Sequence, residues 1–196
     1  MPSSSPEVGL LELQRFLIQG RPHGGGTPAV YDIFDPPTQE QMGVIRERSA
    51  RPLPWLHWLP SKRIGTAALE VRETEDESLV FTVYRTIGLW RCRIKVYDAD
   101  DHLMGFGMRS GVVGRVRFWI YDRHDLPFAE IKDIFGRTYS FLAPDGRELA
   151  TATREQGGAD RCLISISDLL AGQPLAKMLL LGGALALSTA PHGEDS

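Results

Sequence analysis

The residues with the most suggestive chemistry lie between positions 46 and 63. Arg46, Arg48, Arg51, Lys62 and Arg63 flank Trp55 and Trp58, with Glu47 the only acid. Indole rings favour the boundary between hydrocarbon and water, and cations are drawn to an anionic leaflet. Pro52, Pro54 and Pro60 cannot donate to a strand ladder, so the stretch is expected to be a loop. Its plainer reading is a cap on one end of the fold, with the tryptophans packed against the core. A second basic group is Arg91, Arg93, Lys95, Arg109, Arg115 and Arg117. If consecutive strands pair, their outward faces lie side by side. They would then suit phosphate head groups, or nucleic acid with Trp119 and Tyr121 interleaved. The plainer reading there is a solvated strand face balanced by acids elsewhere.

Other chemistries find less support. Asp98-Ala99-Asp100-Asp101-His102 has the acids of a calcium loop, but such a loop needs Gly at its sixth position and Glu at its twelfth. Leu103 and Arg109 stand there instead, so the segment reads as an acidic turn. The five histidines are scattered and none falls in an HExxH pattern. No serine sits in G-x-S-x-G, and Gly24-Gly25-Gly26 lacks the lysine of a phosphate-binding loop. No catalytic residue, metal or cofactor is therefore expected. The formal net charge of -3 argues against a general nucleic-acid binder. Cys92 and Cys162, the only cysteines, exclude a disulfide framework. Their strand-like apolar settings predict buried, reduced thiols and a cytoplasmic protein, peripherally attached to membrane if the basic loop binds it. Residues 1–7 lack the positive n-region of a signal peptide.

The elements that position these groups come from two patterns. The first is a repeated hairpin. Val30–Asp35 turns and returns as Gln41–Ile45, Arg93–Asp98 as Leu103–Gly107, Phe118–Asp122 as Pro127–Ile131, and Tyr139–Gly146 as Glu148–Ala152. Asp or Gly marks each reversal, as tight turns require. Period-two alternation puts Trp90, Cys92, Ile94 and Val96 on one face and Arg91, Arg93, Lys95 and Tyr97 on the other. Val116, Phe118 and Ile120 alternate in the same way with Arg115, Arg117, Trp119 and Tyr121. A series of such hairpins predicts an antiparallel meander that protects its edges by closing into a barrel. The second pattern is the run from Met178 to Leu187, which has no polar residue. A helix apolar on every side is buried in protein or in lipid, and this one is clearly shorter than the roughly 20 residues that span a bilayer, so enclosure by the chain is expected, with a lipid-embedded half-helix as the alternative. It is the element available to fill the barrel. Gly182 and Gly183 each cost about 1 kcal/mol against Ala in a helix, which close approach of the surrounding walls would compensate. At the other end of the chain, the spacing of Leu10, Leu13 and Leu17 predicts a short helix running into a strand.

The Tyr-x-Ile/Val-Asp hairpins and the closing Leu175-Ala176-Lys177-Met178-Leu179-Leu180-Leu181-Gly182-Gly183-Ala184 together resemble the phospholipid scramblases and the related LURP-one proteins. Both belong to the tubby C-terminal-like group. The resemblance runs from about Phe16 to Ala190. It implies a mainly β fold, a closed antiparallel barrel of about twelve strands enclosing a hydrophobic C-terminal helix. It also implies association with anionic phospholipid or membrane surfaces, with phospholipid scrambling as the family's activity. The scramblases' cysteine cluster has no counterpart in Arg51–Pro60, and Asp160–Asp168 keeps only two acids of their calcium segment. The expected organisation is a disordered tail over 1–7, one barrel domain over 8–190 with its helix at about 174–189, and a flexible tail over 191–196. The second reading of function is a soluble binding or scaffold module that has kept only the fold.

Overall fold

Alternation of apolar and polar residues over five to nine positions is the pattern of a strand with one buried face. In the computed structural model such segments form twelve strands. The described residues are 9–22, 29–49, 65–74, 78–87, 92–110, 117–134, 137–155 and 161–188. After a 3-10 turn at Leu10–Glu12 come β1 (Arg15–Gly20), β2 (Val30–Phe34), β3 (Gln41–Ser49), β4 (Gly65–Glu73) and β5 (Leu79–Ile87). The chain continues through β6 (Cys92–Asp98), β7 (Leu103–Ser110), β8 (Arg117–Asp122), β9 (Pro127–Ile134) and β10 (Thr138–Leu142). It closes with β11 (Glu148–Glu155), β12 (Arg161–Ile166), a 3-10 turn at Asp168–Leu170 and helix α1 (Pro174–Ser188). Each strand pairs with its sequence neighbours, and β1 pairs antiparallel with β12, so the sheet closes on itself without an edge. The four hairpins legible in the sequence are β2–β3, β6–β7, β8–β9 and β10–β11.

Inward positions supply a continuous core that includes Phe16, Ile45, Leu69, Phe81, Ile94, Ile120, Phe141 and Ile164. Helix α1 runs inside this wall and packs against β5 to β8 and against β11 and β12. Every residue from Ala176 to Ala186 is buried. Pro174 takes the first helical position, where its missing N–H leaves nothing unpaired. A Cβ on Gly182 would stand 2.7 Å from Val96 Cγ2, and one on Gly183 would stand 2.7 Å from Ile120 Cδ1. At both glycines the wall leaves no room for a side chain.

Strand β7 departs from the expected pattern in an informative way. Its inward positions are Gly105 and Gly107, while Phe106 and Met108 take the outward register. A side chain at Gly105 would collide with the Tyr121 carbonyl and with Leu179 of α1, and one at Gly107 with Ile94 and Phe118. The space a side chain would fill beside Gly105 and Gly107 is already taken, so between them and beyond them β7 sets Phe106 and Met108 on the outside, while Met104 at its start is buried in the core.

The barrel's two ends differ. The one near the start of α1 carries the tight turns after β2, β6, β8 and β10. Asp98 Oδ1 accepts from the N–H groups of Asp100 and His102 at 3.0 and 2.8 Å, and Asp122 Oδ1 accepts from those of His124 and Leu126 at 2.8 and 2.9 Å. The reversal needs a left-handed residue, supplied by Asp101 (φ 64°), Asp125 (φ 61°) and Gly146 (φ 87°). This is the repeated hairpin of the sequence in atomic detail. At the far end the strands flank residues 23–28, 50–64, 88–91, 111–116, 135–136 and 156–160, all outside the described residues, as are 1–8 and 189–196.

Candidate functional site

The outward register of β5 to β8 places cations among rings. Lys95 pairs across the sheet with Tyr84 on one side and Phe106 on the other, and Phe106 pairs in turn with Tyr121. In the next row Arg93 lies between Thr86 and Met108, and Met108 is opposite Trp119. The rings are ordered against one another. Phe106 and Tyr121 stack with centroids 5.1 Å apart and an interplanar angle of 14°, and Tyr84 meets Tyr97 edge-on at 5.4 Å. Tyr84 is 40% exposed, while Tyr97, Phe106, Met108, Trp119 and Tyr121 are half-buried. Arg93 and Lys95 are exposed, and among the described residues neither has an ion-pair or side-chain hydrogen-bond partner. Arg117, at the start of β8, faces Glu130 Oε1 at 3.5 Å and remains mostly exposed.

The other basic group is placed differently. Arg46 and Arg48 belong to β3 and not to a loop, a correction to the expected loop over 46–63. Strand β3 extends to Ser49, with Arg46 opposite Glu70 and Arg48 opposite Ala68 on β4. Arg48 Nε sits 2.8 Å from Glu70 Oε1, while Arg72 Nη2 lies 3.0 Å from Glu70 Oε2. Arg21 holds Asp32 through two hydrogen bonds of 2.8 and 2.6 Å. A shallow cavity of about 240 Å³ lined by Arg21, Arg46, Arg72 and Glu73 lies on this side. The carboxylates beside it already balance much of its positive charge.

Arg51, Trp55, Trp58, Lys62, Arg63, Arg91 and Arg115 lie outside the described residues. Arg109 stands opposite Phe118 in the β7–β8 register, so the backbone does not align it with Arg93 and Lys95. Two strands, β4 and β5, separate β3 from β6, so the two basic groups of the sequence are not one surface. The sequence reading missed Tyr84, Phe106 and Met108. The signal that could have found them is the Gly105-Phe106-Gly107-Met108 alternation, because paired glycines on one face leave the opposite face with the large residues.

Three further groups bear on chemistry. Asp98, Asp100 and His102 bring potential ligand atoms within 4.8 Å of one another, yet Asp98 is engaged in forming the turn and all three lie at a tip of the barrel. Cys162 is buried, and burial pushes its thiol up from 9.0 to about 11, with Arg154 pulling it down and Glu155 pushing it up. Such a thiol is shielded and protonated. The side chain of Cys92 lies outside the described residues. Among the described residues, no helix is long and apolar enough to cross a membrane. The chain matches no family model, no curated protein and no solved structure.

Proposed function

We propose that this protein associates with anionic phospholipid surfaces through the outer face of β5 to β8, without catalytic chemistry. One observation carries the reading: Arg93 and Lys95, free of carboxylate partners among the described residues, are set between Tyr84, Phe106, Met108 and the neighbouring Trp119. Cations on a solvated face usually stand beside acids, as Arg48 and Arg72 do beside Glu70. Here Lys95 lies between Tyr84 and Phe106, and Arg93 lies between Thr86 and Met108 with Trp119 beyond, a combination of cations and rings that suits a headgroup boundary. Each cation near such a surface contributes about 1 kcal/mol, so this face alone supports weak, reversible and salt-sensitive attachment. The resemblance of the hairpins and closing helix to the scramblase and LURP-one proteins points the same way, and phospholipid scrambling is the activity it suggests.

Co-sedimentation with phosphatidylcholine vesicles, with and without phosphatidylserine, tests the proposal. Binding is expected only with the anionic lipid at low salt, and should be lost at high salt. Arg93→Glu with Lys95→Glu should reduce it at least tenfold with little change in melting temperature. Absence of binding at low salt would overturn the proposal and favour a soluble binding or scaffold module. A fluorescent-lipid translocation assay in proteoliposomes tests scrambling separately.

A further inference from the structure

Among the described residues four large apolar side chains are exposed, and three of them stand at the turn-bearing end: Leu126 at 61%, Leu169 at 57% and Leu175 at 48%. A single exposed leucine is ordinary, but a set gathered at one end marks a contact surface. Leu169 and Leu175 lie on the connection that leads from β12 into α1. Leu170 already anchors that connection to the core, at 6% exposed, so its two neighbouring leucines are not needed inside. They are held on a bonded frame: the Ala171 N–H donates to the Asp168 carbonyl at 3.0 Å, and Gln173 Nε2 donates to the Leu169 carbonyl at 3.3 Å. Ala171 and Pro174, between them, are exposed too. Round the barrel, the β10–β11 turn exposes Pro144, and the β8–β9 turn beyond it exposes Leu126 with Pro127. From β6 round to β12 every connection at this end lies within the described residues.

Each of these apolar groups has a carboxylate beside it. Asp125 precedes Leu126, Asp145 follows Pro144, and Asp168 precedes Leu169. Glu12, Asp122 and Glu148 stand at the same end, with Asp98, Asp100 and Asp101 on the next turn. The described cations in this sector, from β6 round to β1, are Arg15, Arg123, Arg147 and Lys177, and His102 and His124 lie among them. Arg147 is held 2.6 Å from Asp145 and Lys177 is buried, so the exposed balance is acidic. We propose that this end docks a basic, leucine-bearing peptide segment of another protein. The leucines supply apolar area on a preorganised frame, and the carboxylates select the sign of the partner. The same carboxylates oppose an anionic bilayer, and they would oppose one another if two copies met end to end. The surface is separate from the outer face of β5 to β8, and the proposal does not rest on lipid association.

The test uses the full chain and a fluorophore-labelled amphipathic peptide of leucine and lysine, followed by anisotropy at low and at physiological salt. Binding is expected, and a peptide of the same charge with serine in place of leucine should bind at least about tenfold more weakly. Leu169→Ser with Leu175→Ser should weaken binding of the leucine peptide at least about tenfold, and Leu126→Ser alone at least about threefold. Melting temperatures should hold, because all three side chains are exposed. Asp125→Asn with Asp168→Asn should weaken binding more at low salt than at physiological salt. Absence of binding would overturn the proposal. Equal binding of the two peptides would also overturn it, since that is the general attraction of a cationic peptide to an acidic surface. So would serine variants that fold and still bind as the original chain does; if Leu169→Ser with Leu175→Ser fails to fold, Leu126→Ser decides. Binding to vesicles of phosphatidylcholine alone, or self-association in sedimentation, that the same serine variants abolish would give this end to a membrane or to a second copy and overturn the proposal.

Discussion

At its N-terminal end α1 is held by its own Lys177, whose ammonium donates to the carbonyls of Leu11, Glu12 and Leu13 at 2.8, 3.2 and 2.9 Å. At its C-terminal end it is held by side chains from the wall. Arg85 of β5 donates to the Ala186 carbonyl at 3.4 Å, and Arg154 of β11 donates to the Leu187 carbonyl at 3.2 Å. The arginines follow the ordinary electrostatics of a helix, cations beside the negative end of the dipole. Lys177 goes against it, standing in the first turn and 1% exposed. What outweighs the dipole is a second element. The carbonyls of Leu11, Glu12 and Leu13, at the end of the 3-10 turn, are only part-buried but face the buried Lys177, and the three N–H bonds of its ammonium meet them. The difference teaches that a charge can be placed by the orphan groups of a neighbouring element rather than by its own helix.

The contrast breaks most visibly at Lys177. Lys177→Met keeps the volume but leaves three part-buried carbonyls without that donor, at about 1–3 kcal/mol for each that water does not reach. We expect urea denaturation to show a loss of at least about 3 kcal/mol, or failure to fold. A loss below about 1 kcal/mol would mean that the cage is solvated and the contrast false.

Alkaline titration separates the ends by sign. Cys162, at the far end, keeps its proton to about pH 11 in the native state and loses it near 9.0 when unfolded. Between those values the native state holds more protons, so stability present below 9.0 falls as pH rises toward about 11. The loss is about 2–3 kcal/mol. Lys177 acts in the other direction. Burial pulls its pKa below 10.5, opposed by the Glu12 carboxylate, so just below 10.5 the unfolded state holds more protons and stability rises with pH. Denaturation midpoints from pH 8 to 11 should therefore flatten in Cys162→Ala and steepen in any Lys177→Met that folds.

A smaller effect is expected at the arginine end. Arg154→Ala removes a cation and a donor from the last turn of α1, at a cost of about 1–2 kcal/mol. Hydrogen exchange should localise the change to the C-terminal turn of the helix, and protection lost equally at both ends would contradict the division. The smallest effect concerns the turns. Asp125→Gly relieves a left-handed aspartate and should raise stability by no more than about 1 kcal/mol, read as a small rise in melting temperature. Asp122→Ala at the same turn should lower it, because two N–H groups lose their acceptor.

Much of the fold was legible before any coordinates, for local reasons. Alternation along Arg93–Asp98 and Phe118–Asp122 fixed which residues face inward, and the aspartate turns fixed where each hairpin reverses. The unbroken apolar run from Met178 to Leu187 required enclosure, because one helix cannot hide every side of itself from water. The candidate face was only half legible. Arg93, Lys95 and Arg117 were visible as charges, but a strand shows which face a residue takes and not what lies across the register from it.

The tertiary structure alone decided the rest. It separated Arg46 and Arg48, paired to β4 or lying along it, from Arg93 and Lys95, because the closed strand order puts two strands between them. It turned Phe106 and Met108 outward, because α1 and the neighbouring strands leave no room inside for side chains at Gly105 and Gly107. It also buried Lys177, which by sequence stands in the first turn of a helix where a cation belongs in water. The reason is distance along the chain: the carbonyls that hold its ammonium are more than 160 residues away, and no local pattern reports a partner so remote.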